Sequence, residues 1–264
     1  MKTVEESVVR AMDGADTALF PFLPYIFQDI WEIGSSPEVV TRLIQAHCRD
    51  YSNLRLLDLG CGKGAVSIRA AAALRCRCLG IDAVEAFVAE ARAKAAEYDV
   101  DSLCQFEVGD IREKISSLSG FDVIVLGSIG PVFGDYLATL TTLSRCLKPD
   151  GTFIIDDGYF EDDSPHTHPM IGKKGEIRRQ IKEAGMTLVD EFIFRGDEIE
   201  ESDEDLFAKL KARCFELAAQ YPGQKKLFLD YIKRQVEENK ILETEAVCRT
   251  MVIRPALDFG RKAL

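Results

Sequence analysis

Strands and helices alternate through the middle of this chain, which predicts an α/β fold on a largely parallel sheet. Three observations carry that prediction. Residues 54–160 repeat an apolar run followed by a helical stretch. A glycine-rich segment, Gly60-Cys61-Gly62-Lys63-Gly64, stands where the first run passes into the first helix. A carboxylate, Asp82, closes the second run. Repeated strand–helix–strand units lay strands side by side and parallel, joined by right-handed crossovers.

The elements follow in order. An N-terminal arm over 1–50 includes an aromatic stretch at 20–31 with two prolines. Ser36-Pro37-Glu38 then supplies an N-cap, a proline at the first helical position and an acid in the first turn, opening a helix over 37–49. Strands are expected at 54–59, 75–82, 103–108, 121–126 and 152–155, with helices at 63–74, 84–98 and 135–147 between them. The run at 121–126 is apolar and rich in β-branched residues, as a central strand buried on both faces should be. Lys148-Pro149-Asp150-Gly151 reads as a turn. A helix at 173–184 stops at Gly185, a natural C′ residue. Strands at 186–194 and 246–254 finish the sheet. The segment 196–244 reads as a helical hairpin broken at Pro222-Gly223 and inserted between these last two strands. The expected layout is one core, 51–195 and 245–264, carrying the arm and the hairpin, the latter acting as a lid or a dimer contact in a possible homodimer.

Composition narrows the function. The 264 residues carry a formal net charge of −11. That charge opposes nucleic-acid backbones and anionic membrane surfaces, and no basic patch offsets it. Glu5, Glu6 and Asp13 occupy the stretch where a signal peptide would be apolar. No uncharged run approaches the roughly 18 residues of a membrane span, so a cytoplasmic location is expected. The eight cysteines lack zinc-ligand spacing and read as reduced thiols.

The chemistry concentrates at strand ends. Alternating glycines at a strand-to-helix turn let backbone N–H groups approach a ligand, because glycine accepts positive φ without a Cβ. A carboxylate at Asp82, followed by Ala83, can accept both hydroxyls of a ribose. Gly109-Asp110-Ile111 follows the third strand, with a carboxylate for an exocyclic amine and an apolar side chain for a ring face. Gly127-Ser128 follows the fourth, beside the crevice where strand order should reverse. Asp58, Gly60, Gly62 and Gly64 complete an Asp-x-Gly-x-Gly-x-Gly motif, and over about 54–160 the chain resembles the class I S-adenosylmethionine (SAM)-dependent methyltransferases. The resemblance implies a Rossmann-like sheet in the order 3-2-1-4-5-7-6 with the last strand antiparallel. It implies SAM as cofactor, S-adenosylhomocysteine as product and a small-molecule methyl acceptor. It places the methionine part of SAM at Gly60, Cys61, Gly62, Lys63 and Gly64, with Asp58 near its ammonium, the ribose at Asp82 and the adenine amine at Asp110. The same glycines also fit the G-x-G-x-x-[G/A] pattern of a nicotinamide-dependent oxidoreductase, and a SAM-binding protein without catalysis is a third reading.

Catalytic candidates cluster after the fifth strand, at Asp157, Tyr159, His166 and His168, with Asp156, Asp162 and Asp163 nearby. Histidine titrates near neutrality and suits a base; no metal is expected there. Tyr25 and Trp31, with Gly34-Ser35, either cover the cofactor or simply pack the arm on the sheet.

Overall fold

The computed structural model describes residues 2–256, apart from the side chains of 197, 198 and 200–203. The end of the expected core segment, 257–264, lies outside the described residues. Eight strands form one sheet: β1 Arg55–Leu59, β2 Arg77–Asp82, β3 Cys104–Val108, β4 Phe121–Gly127, β5 Leu147–Phe160, β6 Gly172–Lys173, β7 Met186–Ile193 and β8 Val247–Pro255. Their order is β3-β2-β1-β4-β5-β8-β7, with β6 paired to the end of β5. This is the expected order with one short strand added before the last two. β8 runs antiparallel to both neighbours, pairing Phe153 with Ile253 and Leu188 with Ile253. Strand order reverses between β1 and β4, so the loops after these strands diverge and leave a crevice at their carboxyl ends.

The helices are α1 Val4–Ala11, α2 Leu23–Ile26, α3 Pro37–His47, α4 Ala65–Leu74, α5 Glu85–Glu97, α6 Ile111–Lys114, α7 Tyr136–Leu143, α8 Lys174–Glu183, α9 Gly196–Gln220 and α10 Lys225–Thr244. Ser36 caps α3 as its sequence suggests, its hydroxyl accepting from Val39 N at 3.3 Å. One face of the sheet packs on α3, α4 and α5 through Val40, Ile44, Leu56, Ile68, Val88 and Val125. The other packs on α6, α7 and α8 through Leu57, Ile111, Ile124, Leu140, Ile155 and Ile177. The central strands are buried on both sides, which is why their sequences run apolar without alternation.

Two expectations need correction. Lys148–Gly151 does not end one element and begin another. It lies within β5, where the pairing steps from Phe121–Leu147 to Val123–Thr152. The four residues bulge out of the ladder, so turn-forming chemistry is satisfied without breaking the strand. The arm and the hairpin, which look separate in sequence, share a third core of Leu19, Leu23, Ile26, Leu210, Leu217 and Phe228. Phe22 meets Phe228 edge-on at 5.0 Å, and the Tyr231 hydroxyl donates to Met12 O at 2.7 Å. No described helix is long and apolar enough to cross a membrane.

The glycine turn is held in left-handed backbone. Gly60, Gly62 and Gly64 all hold positive φ, at 73°, 51° and 76°. At Gly64 a Cβ would also lie 2.8 Å from the Phe106 ring and 2.9 Å from the Ala91 methyl. A left-handed non-glycine residue costs about 1–3 kcal/mol, and overpacking costs a similar amount. Gly64→Ala is therefore expected to lower the unfolding free energy by about 2–4 kcal/mol in urea titrations, whereas Gly62→Ala, with open space at its Cβ, should lose only the backbone part.

Candidate active site

The glycine turn brings two carboxylates and the arm to one place. β1 ends with Asp58 buried at 3 % exposure, its carboxylate accepting from the Ser67 hydroxyl of α4 at 2.7 Å. Burial, with Asp82 nearby, pushes its pKa up to about 6. Asp82, at the end of β2, accepts from Gly62 N and Val84 N, both at 2.8 Å. Burial raises its pKa too, against those backbone donors and that of Ala83. Each Asp82 oxygen keeps a free lone pair, so two further donors can be accommodated. Cys61 is a half-buried thiol whose pKa its surroundings push up, chiefly by desolvation, so it is held neutral.

Residue 63 ties the arm down. The Lys63 side chain is 1 % exposed; its ammonium donates to Phe27 O at 2.8 Å, pairs with Glu90 of α5 at 2.8 Å and lies 5.8 Å from the Phe87 ring centre. The Lys63 carbonyl accepts from Trp31 Nε1 at 3.0 Å. Trp31, Ser35, Asp58, Gly60 and Gly127 then line a narrow cleft. The arm reaches the end of β4, where a Cβ on Gly127 would stand 2.6 Å from Ser35 Oγ and one on Gly34 would stand 3.1 Å from Ser128 Cβ. Ser35 Oγ is buried beside Asp156, whose carboxylate it helps keep ionised. The spare acceptor capacity of its hydroxyl, the open space at Gly62 and the spare acceptors of Asp82 fit the polar end of a nucleoside amino acid such as SAM.

The other predicted contacts divide. Ile111 is buried behind the end of β3, while Val108 is exposed beside it. Asp110 caps α6 and takes a bidentate bond from Arg112, with contacts of 2.7–3.0 Å that hold its pKa below the usual range. Its carboxylate is engaged within the protein, a use invisible in the Gly109-Asp110-Ile111 pattern. Gly109 leaves no room for a Cβ, which would meet Lys114 at 2.6 Å. Ser128, at positive φ, donates to Asp156 at 3.0 Å, and Thr250 donates to the other Asp156 oxygen at 2.8 Å. Tyr25 is not brought to the glycine loop. Its hydroxyl donates to Glu216 of α9 at 2.7 Å, and its ring faces Arg213. It fastens the arm to the hairpin.

A second cavity, of about 200 Å³, opens beyond β4 and β5. Leu126, Ile129, Phe133, Ile155, Met170 and Ile177 give it apolar walls, and Tyr136, Asp157 and His168 give it polar groups. It adjoins the glycine loop across Ile129, whose methyl would be 2.5 Å from a Cβ on Gly60. Of the four catalytic candidates, only Asp157 and His168 line it. His168 has both ring nitrogens engaged, one accepting from Met170 N at 3.3 Å and the other 3.1 Å from Glu238 of α10. His166 pairs with Glu245 at 2.6 Å, and Tyr159 lies between the Arg249 guanidinium and the Lys174 ammonium, 4.4 and 5.0 Å from its ring centre. These three residues clip the 161–171 loop and the end of β5 in place. Tyr136 is the cavity residue that the sequence hides, because it looks like any first residue of a helix after an Asp135 N-cap. The hairpin lines neither cavity; it holds the arm and the 161–171 loop, which do. Among the described residues no group of three or more His, Cys, Asp or Glu side chains could hold a metal.

Residues 50–246 match a family model described as a methyltransferase domain. The chain belongs to that family, the SAM-dependent class I methyltransferases. The glycine turn lies inside the residues that this family model matches. The chain is 29 % identical over 118 residues to the uncharacterized methyltransferase YcgJ of Bacillus subtilis, covering 45 % of each. It is 34 % identical over 98 residues to nocamycin O-methyltransferase of Saccharothrix syringae, covering 36 % of this chain and 35 % of that one. The chain thus spans less than half the length of these curated relatives. A SAM-dependent methyltransferase from Geobacter sulfurreducens, solved with S-adenosylhomocysteine, shares the fold with a TM-score of 0.73 at 20 % identity, over 88 % of this chain and 98 % of that one.

Asp58 gives the site a measurable pH signature. It keeps its proton to about pH 6 when folded and to about 3.9 when unfolded. Unfolding therefore releases a proton between these values, and stability falls as pH rises through the window. Asp58→Asn keeps the bond to Ser67 and removes the titration. The change in unfolding free energy between pH 4 and pH 7, followed by urea denaturation, should become less negative than that of the wild type by on the order of 2–3 kcal/mol.

Proposed function

We propose that this chain transfers a methyl group from SAM to a small-molecule acceptor, leaving S-adenosylhomocysteine. The observation that carries the reading is the cleft under the arm, where a positive-φ glycine turn, the spare acceptors of Asp82 and the buried Ser35 hydroxyl converge in a member of this family. SAM supplies a methyl group already activated on a sulfonium. The protein's work is then to hold, orient and exclude water. Asp82 takes the ribose hydroxyls, Ser35 offers an acceptor to the amino-acid end, and Asp58 offers a carboxylate to its ammonium. Trp31 and the arm cover the cleft, fixed by Lys63.

A small acceptor is favoured by the half-open, mostly apolar cavity beyond Ile129 and by the net charge of −11, which repels nucleic acid. The relative named for nocamycin O-methylation supports the same class. All eight cysteines are free thiols, which fits a reducing, cytoplasmic setting.

Asp82 provides the direct test. A hydrogen bond to a charged group contributes about 1.5–3 kcal/mol, so Asp82→Ala should weaken S-adenosylhomocysteine binding roughly 10- to 100-fold in calorimetric titrations. An unchanged affinity would place the nucleoside elsewhere.

A further inference from the structure

The second cavity contains a half-buried carboxylate in a position to receive a proton. Asp157 stands on β5 with its side chain on the same face as Ile155, in the cavity wall. One oxygen accepts from the Tyr136 hydroxyl of α7 at 2.8 Å, and the other accepts from Gly158 N at 2.7 Å. Each oxygen keeps an unused lone pair. The alternatives are less suited. Both His168 nitrogens are engaged. Glu176 is exposed at the rim and accepts from Gln180, and Asp135 is exposed and caps α7. Asp156 points to the opposite face of β5, toward Ser128 and Thr250.

We propose that Asp157 is the catalytic base of this cavity, that Tyr136 positions it, and that the acceptor is therefore a hydroxyl on an apolar body. The proposal rests on the methyl-transfer reading above. A hydroxyl oxygen keeps lone pairs while it still holds its proton. It can attack as that proton moves to Asp157: the O–CH3 bond forms, the S–CH3 bond breaks with its electron pair passing to sulfur, and the proton ends on the carboxylate. A protonated amine has no lone pair until its proton has left, and a cavity with Asp135, Asp157 and Glu176 around it holds such an amine in its charged form. The apolar walls suit the acceptor's body.

The charged and titratable groups around Asp157 are Asp156 on its own strand, Tyr136 on α7, Arg249 opposite it on β8, and Glu176 and His168 around the cavity. Burial raises Asp157 to about 6, and the neighbouring Asp156 adds to the rise; Tyr136 and Arg249 oppose it. Asp157 is thus ionised at neutral pH and protonated below about 6.

1-Naphthol and 1-naphthylmethylamine, whose alkyl amine is protonated at neutral pH, are the probes for the test, each titrated into protein saturated with S-adenosylhomocysteine and each assayed with labelled SAM. Naphthol is expected to bind, and Asp157→Asn to weaken it at least tenfold while S-adenosylhomocysteine affinity stays within twofold. Methyl transfer to naphthol should rise about tenfold per pH unit up to about pH 6 and then level off. Asp157→Asn should cut it at least 100-fold and flatten that limb. Tyr136→Phe should move the limb to higher pH, because the lost hydrogen bond favoured the ionised carboxyl. Equal naphthol binding by wild type and Asp157→Asn, faster methylation of the amine, or no binding of either probe to the loaded protein would overturn the assignment. Failure of S-adenosylhomocysteine itself to bind would overturn the methyl-transfer reading, and this assignment with it.

Discussion

The turn from Gly60 to Gly64 constrains everything above the carboxyl edge of the sheet. Three left-handed residues in five let β1 fold back into α4 within the space left by Phe106, Ala91 and Ile129. The same turn presents Lys63 to the arm. Its carbonyl and its ammonium bind the arm at Trp31 and Phe27, so the arm crosses the end of β4 and sets Ser35 beside Gly127. The hairpin then packs on the arm, and through Glu238 and Glu245 on the 161–171 loop as well. One backbone conformation thus determines where two separate segments of the chain come to rest.

Electrostatics follows the same edge. Asp58, Asp82, Asp156 and Asp157 are all pushed up in pKa, each chiefly by burial. Two buried acids on β1 and β2 and two half-buried ones on β5 cost stability in the folded chain. Such a concentration is characteristic of sites that bind a cation or move a proton. A methyl donor carrying a sulfonium and an ammonium, next to a protic acceptor, gives both uses a place. Arg249, fully buried, with one nitrogen on Glu191 and its plane over Tyr159, keeps part of this charge balanced from β8.

Much of this was legible in the sequence. The parallel core was, because strands buried on both faces write themselves as apolar runs, and the sheet order followed from the motif at Asp58, Gly60, Gly62 and Gly64. The bulge at 148–151 was not, since a Lys-Pro-Asp-Gly turn has the same residues whether it joins two strands or interrupts one. The glycine turn could be read from spacing, with its cofactor role implied only by the family resemblance, but the two engaged histidines could not be read. His166 and His168 look like free bases until Glu245 and Glu238, more than 65 residues away, are folded against them. Tyr136 was hidden for the opposite reason, as its partner Asp157 reaches it only through the β4–β5 pairing. Side chains set by local backbone were readable; those set by contacts between distant segments were not.

The most direct measurement is a parallel calorimetric titration of the wild-type chain with SAM, S-adenosylhomocysteine and NAD. Saturable, one-to-one binding of the first two with none of NAD is the expected result, because the glycine turn, Asp82 and Ser35 together fit a nucleoside amino acid. Binding of NAD alone, or of none of the three to well-folded protein, would contradict the cofactor site described here.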